Sequence, residues 1–109
     1  MRKKKEDMYM EECENQGWMV TEISEDEIEL ENWSPAGENL VYCFNKKNFL
    51  EDFQCIVENF DPDEHAEEWA VARYYGTIKN IPCISTLVHD AYVIDEMLWD
   101  LLYKLKRIS

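Results

Sequence analysis

Four residue types in this chain could do chemistry, and their spacing decides what kind. His65 and His89 are the only histidines, and they stand too far apart in sequence to share a helix face. His65 has Glu64 and Glu68 beside it, so it could ligate a metal weakly. The ligand set is local and incomplete, and a solvated histidine at an acidic helix start is the expected state. Cys13, Cys43, Cys55 and Cys83 are spaced 30, 12 and 28 residues apart, without the close pairs that a zinc site needs. They read as free thiols. No Ser–His–acid set emerges from the spacing, and three isolated glycines cannot build a phosphate loop. Carboxylates are abundant enough to offer acid–base pairs anywhere, which makes surface charge the better account of them. The expectation is a protein that is not an enzyme and has no metal or cofactor.

What the carboxylates do show is order along the chain. Between Glu6 and Asn45 there are twelve and no Lys or Arg, and between Asn48 and Ala72 eight more, again with no base. The stretch Glu6 to Tyr103 holds all 24 acids against Lys46, Lys47, Arg73 and Lys79, a net −20. The other seven bases lie at the ends, at Arg2 to Lys5 and Lys104 to Arg107. Such a field repels nucleic acid and attracts basic protein surfaces. Two groups stand out. Glu27, Glu29 and Glu31, with Glu25 and Asp26 before them, form a row whose members repeat at about 6.8 Å along a strand edge, comparable with successive phosphates. Asp61, Asp63, Glu64, Glu67 and Glu68 crowd a helix start. Together they are the candidate partner-binding residues.

These groups must be positioned by a single domain of 109 residues. Hydrophobic residues make up 46% of the chain, with four Trp, six Tyr and four Phe, which argues for a folded core rather than a solvated tail. Residues 1–5 read as a basic tail, without the apolar stretch of a signal peptide. No run approaches membrane-spanning length, and a cytoplasmic location is expected.

Lys3 to Gln16 reads as a helix stopped by Gly17. Trp18–Ile23, Glu27–Glu31 and Leu40–Phe44 read as three strands of an antiparallel meander, with turns at Ser24–Asp26 and Ser34–Asn39. Strict alternation turns Ile28 and Leu30 inward and the glutamates toward water. Asn45 caps a helix to about Asn59 with Phe49, Phe53, Ile56, Val57 and Phe60 on one face. Asp61-Pro62-Asp63-Glu64 starts another, reaching Tyr75 and ending at Gly76, with Trp69, Val71, Ala72 and Tyr75 toward the core. Ile78 to Ile84 connects to a last helix capped by Ser85 or Thr86. Its seam of Leu87, Ala91, Ile94, Leu98, Leu101, Leu105 and Ile108 has heptad spacing. The seam fits the main core helix, with a weak homodimer as the alternative to a monomer. The fold class is α+β, order αβββααα, with Ile28, Leu30, Leu40, Tyr42, Phe53, Ile56, Trp69, Ile94, Leu98 and Leu101 in the core.

The segments Trp33-Ser34-Pro35-Ala36-Gly37-Glu38-Asn39, Phe60 to Trp69, Ile81 to Ser85 and Asp90 to Leu98 resemble a group of small acidic proteins. These are common in gut Firmicutes and their mobile elements. The resemblance spans about Gly17 to Leu105 and carries no catalytic signature. It implies a mobile-element accessory protein. Proteins of this size and setting include anti-CRISPR inhibitors of Cas9, so an anti-defence role is the functional expectation, with Cas9 or its guide complex as partner. The alternative is a protein–protein interaction or regulatory module of a mobile element, docking through an apolar face: Trp18, Trp33 or Tyr75, or the outer side of the last helix.

Overall fold

The computed structural model describes residues 4–72 and 84–108. The element order is α1 (Lys5–Asn15), β1 (Met19–Glu22), β2 (Glu27–Trp33), β3 (Asn39–Asn45), α2 (Phe49–Asn59), α3 (Pro62–Ala72) and α4 (Ile84–Ile108). This is the expected αβββααα arrangement. The predicted end of α3 at Tyr75 and Gly76, and most of the connector before α4, lie outside the described residues. Of the predicted basic tail, Lys5 already belongs to α1 and Lys4 is its extended N-cap.

The ends of the elements follow local chemistry. Gly17 (φ +91°) lets the chain leave α1 through paired hydrogen bonds, Gly17 N–H to Glu14 O and Trp18 N–H to Cys13 O. Cys13 and Trp18, joined by that second bond, are both buried. Asn45 Oδ1 accepts from the Lys47 amide at 2.9 Å and opens a 3-10 turn, Lys46–Asn48, that runs into α2. Asp61 Oδ1 accepts from the amides of Asp63 and Glu64 at 3.0 and 3.3 Å and caps α3. α4 begins at Ile84, so Ser85 and Thr86 sit in its first turn rather than at its cap.

The sheet is antiparallel in the order β1-β2-β3. The pleat sends Val20, Ile28, Leu30, Leu40, Tyr42 and Phe44 to one face. There they meet Tyr9 and Cys13 of α1, Phe49, Phe53 and Val57 of α2, and Ile94, Leu98, Leu101, Leu102 and Leu105 of α4. Phe44 is the hinge of the aromatic packing, edge-on to Phe49 at 5.2 Å and to Phe53 at 5.9 Å. A smaller core joins Ala66 and Trp69 of α3 to Leu87 and Ala91 of α4, with Ala36 of the β2–β3 loop against it. α4 therefore runs through both cores. Its heptad seam is covered by the chain's own elements from Leu87 to Leu105, with Ile108 packed at the margin. Tyr42 and Ile56, expected inside, are half-buried against the main core.

Candidate functional site

The opposite face of the sheet carries no packed element among the described residues. The register sets its side chains in cross-strand rows: Trp33 with Asn39; Met19, Glu31 and Val41; Thr21, Glu29 and Cys43; Glu27 with Asn45. Glu25 and Asp26 continue the acids into the exposed β1–β2 turn. No Lys or Arg belongs to this face. Lys46 and Lys47 stand just beyond the end of β3, and Lys46 is drawn to Glu22 at 3.7 Å.

The glutamate row is real, but it is not a strand edge. β2 is the central strand, flanked on both sides, so Glu27 is exposed while Glu29 and Glu31 are half-buried between cross-strand neighbours. Asn39 donates an amide hydrogen bond to Glu31 at 3.0 Å. The same face exposes Met19 (53%), Trp33 (47%) and Val41 (43%). Of the aromatics named as apolar contacts, Trp33 is available. Trp18 is buried beneath the sheet, because it belongs to the α1 end cap and not to the strand's outer face. Tyr75 lies outside the described residues.

The second acidic group, Asp61, Asp63, Glu64, Glu67 and Glu68, is exposed on α3. It sits in the helical layer, whereas the glutamate row faces away from the helices. The two groups, named together as candidate partner-binding residues, are built on different layers. Tyr92 of α4 donates to the Asp63 carboxylate at 3.1 Å, and this contact with an anion raises the phenol's pKa.

What joins the layers is the β2–β3 loop. Gly37 (φ +91°) closes a turn with its N–H on Ser34 O, and the Ser34 and Glu38 backbones close the loop at 2.9 Å. The pleat then turns Ser34 and Glu38 toward the helices. Asp90, 2% exposed on α4, accepts from Ser34 Oγ at 2.6 Å and from the Ala36 amide at 2.8 Å. Glu38 Oε2 accepts from His65 Nε2–H at 2.8 Å, and the His65 ring lies 5.0 Å from Phe60. His65 is thus half-buried and paired, not the solvated residue expected from its neighbours in sequence. Its hydrogen bond to Glu38 raises its pKa above the usual value; burial opposes this, and the charges of Glu38, Glu68 and Asp90 reinforce it.

Asp90, Glu38 and Ser34 were not among the candidate site residues: the sequence places Ser34 and Glu38 in a turn and Asp90 near the first turn of the last helix. One signal was present: Asp90 is a carboxylate beside Ala91 on the apolar side of a core helix, a place that demands a partner. That the partner would be a hairpin loop over fifty residues earlier was not readable from spacing.

Among the described residues no three His, Cys, Asp or Glu side chains are grouped as a metal-holding set. Cys13, Cys43 and Cys55 are free thiols, and Cys83 lies outside the described residues. Burial first, then the charges of Glu12 and Glu14, push the Cys13 thiol up to about 12, so it serves as a packed apolar group. Among the described residues no helix is long and apolar enough to cross a membrane. Comparison with protein-family models, with curated proteins and with solved structures returned no match.

Proposed function

We propose that this chain is a non-catalytic acidic inhibitor that acts in the cytoplasm on a nucleic-acid-binding defence effector. It occupies a basic surface that otherwise holds DNA or RNA. The observation that carries the reading is the open sheet face, where Glu27, Glu29 and Glu31 follow one another on a rigid central strand with no Lys or Arg among the residues of that face. Glu25 and Asp26 extend the row, and the α3 group, Asp61 to Glu68, offers a second anionic surface to a large partner. The resemblance to small acidic mobile-element proteins supports Cas9 as the effector, whose guide heteroduplex lies in a positively charged channel.

The test is DNA cleavage by purified Cas9 and guide RNA, titrated with this protein in each order of addition. Inhibition that weakens as salt rises is expected, because association steered by surface charge is screened. Absence of inhibition in every order removes Cas9 as the target. With inhibition in hand, E27K/E29K/E31K should abolish it; retained inhibition moves the contact to α3.

The exposed Met19, Trp33 and Val41 favour a second reading on the same face. In it the chain is an interaction module for another mobile-element or host protein, held mainly by apolar contact. Binding would then persist at high salt and fall with Trp33→Ala.

A further inference from the structure

The open sheet face is graded along β2. At the hairpin end stand Trp33, then Met19 and Val41 on either side of Glu31. At the other end stand Glu29, Glu27 and the Glu25–Asp26 turn. Three of the seven large hydrophobic side chains exposed among the described residues therefore gather at one end of this face, and the acids dominate the other. A solubilising surface has no need to concentrate Met, Trp and Val in this way.

The dimensions narrow the occupant. Three strands at about 4.8 Å make a face about 10 Å across, and the seven residues of β2 run about 20 Å. One α-helix has that width, and about fourteen residues cover that length. Lys or Arg at i and i+4 on such a helix repeat at about 6 Å, close to the step of about 6.8 Å between alternate strand residues. A second copy of this chain fits poorly, since its own glutamate row would be set against this one with a net −13 on each partner. Nucleic acid is repelled by the same charge.

We propose that the open sheet face receives one amphipathic helix of the partner protein, apolar over Trp33, Met19 and Val41 and basic over Glu29, Glu27 and the Glu25–Asp26 turn. This rests on reading the face as the docking surface and specifies what docks there.

Three synthetic fourteen-residue helical peptides test it against the full chain. One carries Leu in its first two turns and Lys in its last two on a single face. The second has the same composition with Leu and Lys interspersed, and the third replaces Leu with Ala. Binding is read by titration calorimetry and by Trp33 emission, with Trp33→Phe as the blank. The block peptide should bind about tenfold more tightly than either control, and Trp33→Ala should cost it about tenfold. E27K/E29K should remove its salt dependence. Equal binding of all three peptides, or block-peptide binding untouched by both variants, overturns the proposal. So does a concentration-dependent dimer of the chain that Trp33→Ala disperses, because a second copy then covers the face. Failure to inhibit Cas9 leaves the peptide result standing, whereas Cas9 inhibition without peptide preference removes only the helix.

Discussion

Replacing Asp90 by Ala tests whether one buried carboxylate holds the hairpin to the helices. Asp90 is 2% exposed and accepts two hydrogen bonds, from Ser34 Oγ at 2.6 Å and from the Ala36 amide at 2.8 Å. Hydrogen bonds to a charged acceptor contribute about 1.5–3 kcal/mol each. Against that stands the desolvation of the carboxylate, which the Ala variant no longer carries. The variant, however, strands the buried Ser34 hydroxyl, at about 1–3 kcal/mol unpaired, and takes the acceptor from the half-buried Ala36 amide, at the low end of that range. The Glu38 amide, which donates to Ser34 Oγ at 3.0 Å, keeps its acceptor. The net loss expected is about 2–3 kcal/mol, or about 10 °C in Tm for a domain of this size. Urea and thermal unfolding followed by circular dichroism measure it. Hydrogen exchange should show the Ser34, Gly37 and Glu38 amides opening first, since their bonds belong to the loop that Asp90 anchors. Asp90→Asn keeps the shape and one oxygen, so about half the loss should return. A Tm within about 2 °C of the parent for Asp90→Ala would refute the reasoning, because it would mean that the loop is held by Ala36 packing alone.

The His65–Glu38 pair predicts a pH dependence with a definite sign. The folded-state pKa of His65 is raised above 6.5, so its contribution is fully present below pH 6.5 and is lost as pH rises through the raised value. His65→Gln should therefore cost stability, about 1 kcal/mol, at acidic pH and little at alkaline pH. A difference independent of pH in denaturant titrations would assign the loss to packing against Phe60. Gly37→Ala should cost about 1–2 kcal/mol through the left-handed backbone alone, since nothing lies within 4 Å of an added Cβ. Gly37→Asn should cost less, and equal stability of Ala and Gly there would show that the turn relaxes.

The fold was legible because its signals were local. Gly17, Asn45 and Asp61 announce their ends by side-chain and backbone chemistry that needs no tertiary information. The alternation at Ile28 and Leu30 and the seam from Leu87 to Leu105 each report one buried face. The candidate surface was legible only in part, and the reason is pairing. The alternation of Glu27, Glu29 and Glu31 says which way they point but not what stands beside them. The expected meander already made β2 the central strand, but only the strand register places Met19 and Val41 on either side of Glu31. His65 was misjudged for the same reason. Its neighbours along the helix are acids in water, yet the residue that matters is Glu38, 27 positions earlier.

Salt separates the two duties of the acids. With a net charge of −13, the isolated chain is held under self-repulsion, and added salt should raise its stability by screening. Docking onto a basic surface is weakened by the same salt, so folding and binding respond with opposite signs. The triple variant E27K/E29K/E31K sharpens this. Each reversal adds two charge units, taking −13 to −7, and at position 31 the long Lys stem can lie along its cross-strand neighbours Met19 and Val41. If the row exists for docking, the variant should be at least as stable as the parent while losing its partner. If stability falls together with binding, the glutamates act through contacts such as Asn39 to Glu31, and the row is part of the scaffold. A Lys variant that folds well and no longer binds is a result that neither solubility nor architecture explains, because an architectural role would show as lost stability, Lys being unable to accept from Asn39, and a chain still well away from neutrality stays soluble.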